Sequence, residues 1–214
     1  MIDLFLKVVL SYLLGSVVGS LLVGRLRGGV DIRTLASGNA GATNALRTQG
    51  KSFALWVLFI DVFKGWAATR VVATMAFVGP DSDPLQVWAA SLCGIAVMLG
   101  HVYPLWYGFR GGKGVATLVG VVLGLGPALL LPVLFVWLIA AMLFGFVGLA
   151  SMIATLALPV AVAVTHTEPT EPLMTLGVVT VVLIVFTHRS NIRRMLAGTE
   201  PRARRLWLFA KRGK

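Results

Sequence analysis

The chain has 214 residues, of which 57% are hydrophobic and only 13% charged, and its formal charge is +11. Soluble domains carry about 25% charged residues, so roughly half that fraction, with a mean hydropathy of +0.89, excludes a water-soluble globule and a disordered chain alike. What remains is an integral membrane protein. Each membrane helix takes about 20 apolar residues, so the length accommodates about seven close-packed spans and no extramembrane domain. The apolar runs are continuous rather than alternating, which favours helices over a barrel. The single Cys93 lies in an apolar run and points to no disulfide framework.

In chain order, the first apolar run covers residues 2–24. It opens Met1-Ile2-Asp3 without the basic start of a secretory signal, so it reads as a retained first helix. Further runs cover 52–78, 85–107 and 172–188. Residues 114–167 hold no Asp, Glu, Lys or Arg. As one helix they would measure about 80 Å at 1.5 Å per residue, far beyond a hydrocarbon core of about 30 Å. The basic loop at Arg110 and Lys113 belongs inside and the acidic loop around Glu168 and Glu171 outside, so the number of crossings between them is odd. Three short helices fit, with breaks near 126–132 and 145–149 marked by Pro127, Pro132, Gly145 and Gly148.

The expectation is therefore an all-α protein of about seven transmembrane helices, N-terminus outside and C-terminus cytoplasmic. It forms one domain over 1–214, with a basic tail from about 189. Every basic residue except Lys7, Lys64 and Arg70, which lie within spans, then falls on the cytoplasmic side. Asp3, Asp81, Asp83, Glu168 and Glu171 fall outside, as the positive-inside rule requires. The same distribution accounts for the basic charge without nucleic acid, since anionic headgroups meet the juxtamembrane loops.

Three polar clusters share the inner side. The first runs from Ser37 through Asn39, Asn44 and Arg47 to Gly50, rich in glycine and neutral hydrogen-bonding groups. Glycines allow close backbone approach, and Arg47 offers a planar fork suited to phosphate. The second places Gly100-His101 before Arg110-Gly111-Gly112-Lys113-Gly114, which opens an uncharged helix. A helix N-terminus with a lysine beside it is a credible phosphate site. It is not a Walker loop, because Gly114 stands where that motif needs Ser or Thr. The third holds His188 and Asn191, three apart and so on one helical face if the helix is continuous. Asp61 and Lys64 share the same spacing inside the second long run, where a structural ion pair is the favoured reading.

Taken together, Ser37-Gly38-Asn39-Ala40-Gly41-Ala42-Thr43-Asn44 with Arg47, Asp61 and Lys64-Gly65, Gly100-His101 with Gly111-Gly112-Lys113-Gly114-Val115-Ala116-Thr117, and His188 and Asn191 with Gly198 and Glu200 resemble the bacterial PlsY acyltransferases. Ala40, Arg110 and Thr187 depart from that pattern, which commonly has Pro, Lys and Arg there. The resemblance implies transfer of a fatty acyl group from acyl phosphate to the 1-hydroxyl of sn-glycerol 3-phosphate in the inner membrane, with the active site facing the cytoplasm. It implies no metal, cofactor, acyl-CoA or acyl carrier protein, and a monomer surrounded by membrane lipid. Lys113, Ser37, His188 and Asn191 are then the expected catalytic residues. Asn39, Asn44, Arg47, Gly111, Gly112, Gly114 and Ser151 are the expected substrate-binding residues, with Asp61 and Lys64 in support.

Two other classes fit the residues less well. A transporter of an organic phosphate anion would place its site near mid-membrane with repeated halves, whereas these clusters sit at one interface. An acyltransferase with a His-x4-Asp pair is disfavoured because only His166 has an acid at that spacing, Glu171, and it lies on the outer side.

Overall fold

The computed structural model describes residues 1–78, 84–165 and 167–210. Asp81, Asp83, His166, Lys211, Arg212 and Lys214, which entered the topology argument or the comparison of enzyme classes, lie outside the described residues. Among those described, every regular element is helical. The chain divides into two compact units, Met1–Pro127 and the segment from Ala128 onward.

The first unit contains α1 (Ile2–Gly15), α2 (Gly19–Leu26), α3 (Ala42–Gln49), α4 (Lys51–Arg70), α5 (Ala89–Val102) and α6 (Val115–Leu125). The first apolar run is thus not one helix: it breaks at residues 16–18, and α1 and α2 bend by 48°. At the break the Ser16 hydroxyl turns back to the Tyr12 carbonyl at 3.0 Å, a side-chain bond of the kind that bends helices. Asp3 is not a loop residue. It lies in the first turn of α1, buried, with its carboxylate 2.8 Å from Lys7 Nζ.

Helices approach closely where glycine removes the side chain. Gly15 and Gly100 each lie against the other helix's backbone between α1 and α5, at Val97 and Tyr12 respectively. Gly65 and Gly120 do the same between α4 and α6, against Thr117 and Val62. Small residues at crossings are how helices pack where no hydrophobic force separates them from lipid. On α4 the usual burial is inverted. Trp56 (55% exposed), Phe59 (59%) and Phe63 (51%) face outward, while Asp61 (1%) and Lys64 (2%) are buried. That is the signature of a helix solvated by hydrocarbon.

The second unit contains α7 (Pro127–Phe144), α8 (Val147–Thr165), α9 (Thr170–Thr187) and α10 (Arg189–Leu196). The uncharged stretch 114–167 does form three helices, α6 to α8, separated at Gly126 and at residues 145–146. Pro127 opens α7, where its missing N–H costs nothing. Pro132, expected to mark a break, lies inside α7.

Among the described residues, four helical stretches are each long and apolar enough to cross a bilayer: Pro84–Tyr107, α7, α8 and α9. The bent α1–α2 pair makes a fifth. The two remaining apolar runs became α4, which carries the internal charges, and α6, which has only 11 residues.

Candidate active site

The connection from Arg25 to Gly50 is more ordered than a solvated connector. Ile32 is fully buried in an apolar cluster with Val23, Ala45, Phe53 and Val57, and this pins the middle of the segment to α2, α3 and α4. Asn44 then organises what remains. Its Nδ2 donates to the carbonyls of Ile32 (2.9 Å) and Leu35 (3.1 Å), while its Oδ1 accepts the Ser37 N–H at 3.2 Å. Asn44, expected to bind substrate, therefore uses its amide to shape the loop. Ser37 and Arg47 are exposed and Asn39 is half-buried, so those three side chains remain accessible. Ala36, just before Ser37, has a φ of 46°, a left-handed conformation that strains a residue with a Cβ.

The second loop folds back over the end of α5. The N–H groups of Gly111 and Gly112 donate to the carbonyls of Val102 (3.0 Å) and His101 (3.1 Å). These carbonyls lie at a helix C-terminus, where no helical partner exists. A Cβ at Gly111 would overlap the His101 carbonyl oxygen, and one at Gly112 would overlap His101 Nε2. This corrects the expectation that both glycine amides face a phosphate: they cap α5 instead. Gly114, at φ 89°, turns the chain into α6. The N–H groups of the first turn of α6, from Val115, thus become the amides without helical acceptors.

Arg33 joins the two loops. Its guanidinium donates to the carbonyls of Tyr107 (3.0 Å) and Arg110 (2.8 Å), and it forms an ion pair with Asp31 at 2.7 Å. Arg33 beside Asp31 holds that carboxyl below the usual carboxylate range. The Ser20 hydroxyl adds a bond to the Ala40 carbonyl at 2.8 Å. Nothing in the sequence distinguished Arg33 from other basic loop residues, because its partners are backbone carbonyls about 75 residues away.

Beneath the second loop lies a buried charged cluster. Lys64 Nζ is 2.9 Å from Asp61 Oδ1 and 2.8 Å from His101 Nδ1, and His101 Nδ1 is 3.3 Å from Asp61 Oδ1. The expected pair is present, and His101 joins it. The cluster also mends the break in the first apolar run. Lys64 donates to the carbonyls of Gly15 (3.0 Å) and Val17 (2.8 Å) at the end of α1, and Asp61 Oδ1 accepts the Gly19 N–H (3.1 Å) that starts α2.

In the second unit, His188 sits at the junction of α9 and α10, so it and Asn191 do not ride one continuous helix. His188 Nδ1 is 2.8 Å from the Ile184 carbonyl, which can only accept; Nδ1 therefore donates, and in the neutral ring the lone pair lies on Nε2. Asn191 donates to Glu200 at 2.6 Å, and Arg194 grips the other Glu200 oxygen at 2.7 Å. Asn191 also lies against Gly148 in the first turn of α8, where a Cβ would stand 2.9 Å from its Nδ2. Ser151, one turn further along α8, donates to the Val147 carbonyl (2.9 Å) and accepts from Trp137 Nε1 (3.3 Å), so its hydroxyl serves helix packing.

A family model described as glycerol-3-phosphate acyltransferase matches residues 5–198. The chain belongs to the glycerol-3-phosphate acyltransferase family. A relative of that name from Agrobacterium fabrum is 41% identical over 200 residues, covering 93% of this chain and 91% of its own. One from Mesorhizobium japonicum is 41% identical over 197 residues, covering 92% and 94%. The fold matches a crystal structure of PlsY, an integral membrane glycerol 3-phosphate acyltransferase in its glycerol 3-phosphate form. The TM-score is 0.82 at 36% identity, over 93% of this chain and 94% of that one. The lysophosphatidic acid form of PlsY matches with a TM-score of 0.80 at 35% identity, over the same shares. As a member of this family, the chain is a multi-pass membrane protein built from helices.

Proposed function

We propose that this protein transfers a fatty acyl group from acyl phosphate to the 1-hydroxyl of sn-glycerol 3-phosphate, giving lysophosphatidate and inorganic phosphate. The observation that carries the reading is the Arg33 brace. It gathers the loop of Ser37 and Arg47 and the loop of Lys113 at one end of the first unit, a basic surface rich in polar groups, as a reaction between an acyl phosphate and a phosphate ester requires. PlsY, a relative that aligns along nearly the whole chain, has structures in glycerol 3-phosphate and lysophosphatidic acid forms, a substrate and product of this reaction.

An acyl phosphate is a mixed anhydride and already activated, so positioning and charge stabilisation suffice. The glycerol hydroxyl oxygen attacks the acyl carbon, the bond from that carbon to the phosphate oxygen breaks, and the phosphate leaves with the bonding pair. Lys113 and the first-turn amides of α6 stabilise that phosphate, with Gly114 turning them toward it. Arg47, Asn39 and the Ser37 hydroxyl bind phosphate and glycerol oxygens, and Asn44 holds the Ser37 backbone in place. Within the second unit, the Nδ1–H of His188 is fixed on the Ile184 carbonyl, which leaves the lone pair of the neutral ring on Nε2, the chemistry of a general base. Asp61 and Lys64 support the loops from within, and Ser151 holds α8 to α7.

The chain crosses the inner membrane seven times, with α1–α2, α4, α5, α6, α7, α8 and α9 as the crossings. Its N-terminus is outside, and the polar loops and C-terminus are cytoplasmic. One copy supplies every residue named, so a monomer is sufficient.

Purified protein given acyl phosphate and labelled glycerol 3-phosphate, without acyl-CoA, should release lysophosphatidate and phosphate in equal amounts. Product only with acyl-CoA would overturn the donor, and no product with either would overturn the reaction. Single cysteines at 38 and 110 should both label from the cytoplasmic side; labelling from opposite sides would refute a shared surface. An acyl adduct trapped on Ser37 would refute direct attack.

A further inference from the structure

We infer that His101 is a positioning residue for this reaction: it couples the buried Asp61–Lys64 pair to the Gly111–Gly112–Lys113 loop and sets where that loop sits. The inference rests on the acyl-transfer reading above and names a residue for which that mechanism has no role.

Three contacts of one residue carry it. The His101 ring meets the charged pair through Nδ1, 2.8 Å from Lys64 Nζ and 3.3 Å from Asp61 Oδ1. Its opposite edge, Nε2, lies so close to Gly112 that only a residue without a Cβ fits. Its carbonyl accepts the Gly112 N–H at 3.1 Å. The ring is 2% exposed, so it is a spacer wedged between the pair and the loop rather than a group open to substrate.

The other side of the wedge is fixed as firmly. Two of the three Lys64 protons go to the Gly15 and Val17 carbonyls, and the third is shared between Asp61 and His101. Asp61 in turn holds the Gly19 N–H. Both sides of the break between α1 and α2 are thus tied to the ion pair, and the pair cannot shift without exposing helix ends that have no other partner. Burying two charges is costly unless they are paired and hydrogen-bonded. Here the helix break bonds Lys64 and Asp61 Oδ1, while Asp61 Oδ2 is buried without a hydrogen bond, and His101 passes the resulting rigidity to Lys113, the next residue after Gly112. A lysine that stabilises a leaving phosphate needs its backbone held to within about 1 Å, since a misplacement of that size can cost about 100-fold in rate.

The test reads the loop and the reaction separately, in the full-length protein in detergent or bilayer. Amide exchange followed by mass spectrometry should show His101→Ala accelerating exchange at Gly111–Lys113 at least tenfold, with α9 unchanged. In turnover, the same variant should lose at least tenfold in kcat/KM while its pH profile keeps its shape, because His101 exchanges no proton with substrate. His101→Asn, whose side-chain oxygen can accept from Lys64 in place of Nδ1, should recover most of both losses. Gly112→Ala pushes on the wedge from the loop side and should give the same exchange signature with the charged cluster intact, which keeps the test open should His101→Ala fail to fold. Wild-type exchange at Gly111–Lys113 in His101→Ala or in Gly112→Ala would overturn the inference, as would a His101→Asn no better than the alanine. If the wild type makes no lysophosphatidate, the acyl-transfer reading fails, while the exchange measurement still decides whether His101 positions the loop.

Discussion

The two units solve the same problem, helices in hydrocarbon, with different means. In the first, ionisable side chains are buried and each is bonded several times: Asp61, Lys64 and His101 in one cluster, Asp3 and Lys7 in another. In the second, the helices α7, α8 and α9 carry almost no charge, and the polar bonds concentrate at one end, around Asn191, Arg194 and Glu200. The difference follows what each unit must hold. The first contains a broken helix and two loops whose backbone must be held in place, and charge fixes backbone groups directionally. The second contains three long apolar helices, for which packing suffices up to the polar junction at His188.

The contrast breaks most visibly at Lys64. Lys64→Met leaves Asp61 charged and buried without its partner, a loss on the order of 3–5 kcal/mol. It should abolish folded protein in a detergent unfolding assay, and adding Asp61→Leu should restore part of the folded yield, because an apolar pair carries no desolvation penalty. Recovery to no degree would mean that the pair is needed for its bonds to the helix break alone. In the second unit the corresponding change is Glu200→Ala, which removes two charge-assisted hydrogen bonds worth about 1.5–3 kcal/mol each. Proteolysis should then cut the chain after α10 sooner, with the α7–α9 helices intact; unchanged cleavage would show that Glu200 does not fasten that segment.

Lys113→Ala sharpens the comparison differently, since Lys113 sits on the braced loop rather than in the brace. It should lower turnover at least tenfold in protein that still folds, about 1.4 kcal/mol of transition-state stabilisation. Equal turnover in purified protein would refute its role on phosphate. The smallest effect is expected at Asp31, whose carboxyl titrates below its ordinary value because Arg33 holds it. A depressed folded-state pKa stabilises above the unfolded value, about 3.9, and that contribution is lost as pH falls through the folded value. Protease protection of residues 31–50 should therefore be level from pH 8 to 5 and decline only in stronger acid, and Asp31→Asn should remove that decline.

Much of the fold was legible because the bilayer makes composition decisive. An uncharged stretch as long as 114–167 has to be divided into helices, and its breaks fell at Gly126 and Gly145 near where glycine and proline predicted them. The polar loops were legible as loops for the same reason. Less visible was how each loop is used. Gly111 and Gly112 looked like a phosphate cradle, because two glycines beside a lysine suit one, yet their amides cap α5. Asn44 looked like a ligand, yet its amide is consumed by Ile32, Leu35 and Ser37.

By itself the sequence determined the helical class, the segments too apolar for water and the residue types able to meet phosphate, since each depends on local composition and spacing along one chain. Only the tertiary structure decided that the first apolar run is broken, that Asp61 and Lys64 bond both sides of the break, that His101 lies between that pair and Gly112, and that Arg33 ties the two polar loops. Those contacts join residues dozens of positions apart through backbone carbonyls and amides. Every residue owns such groups, so no pattern of side chains along the chain could announce which would pair.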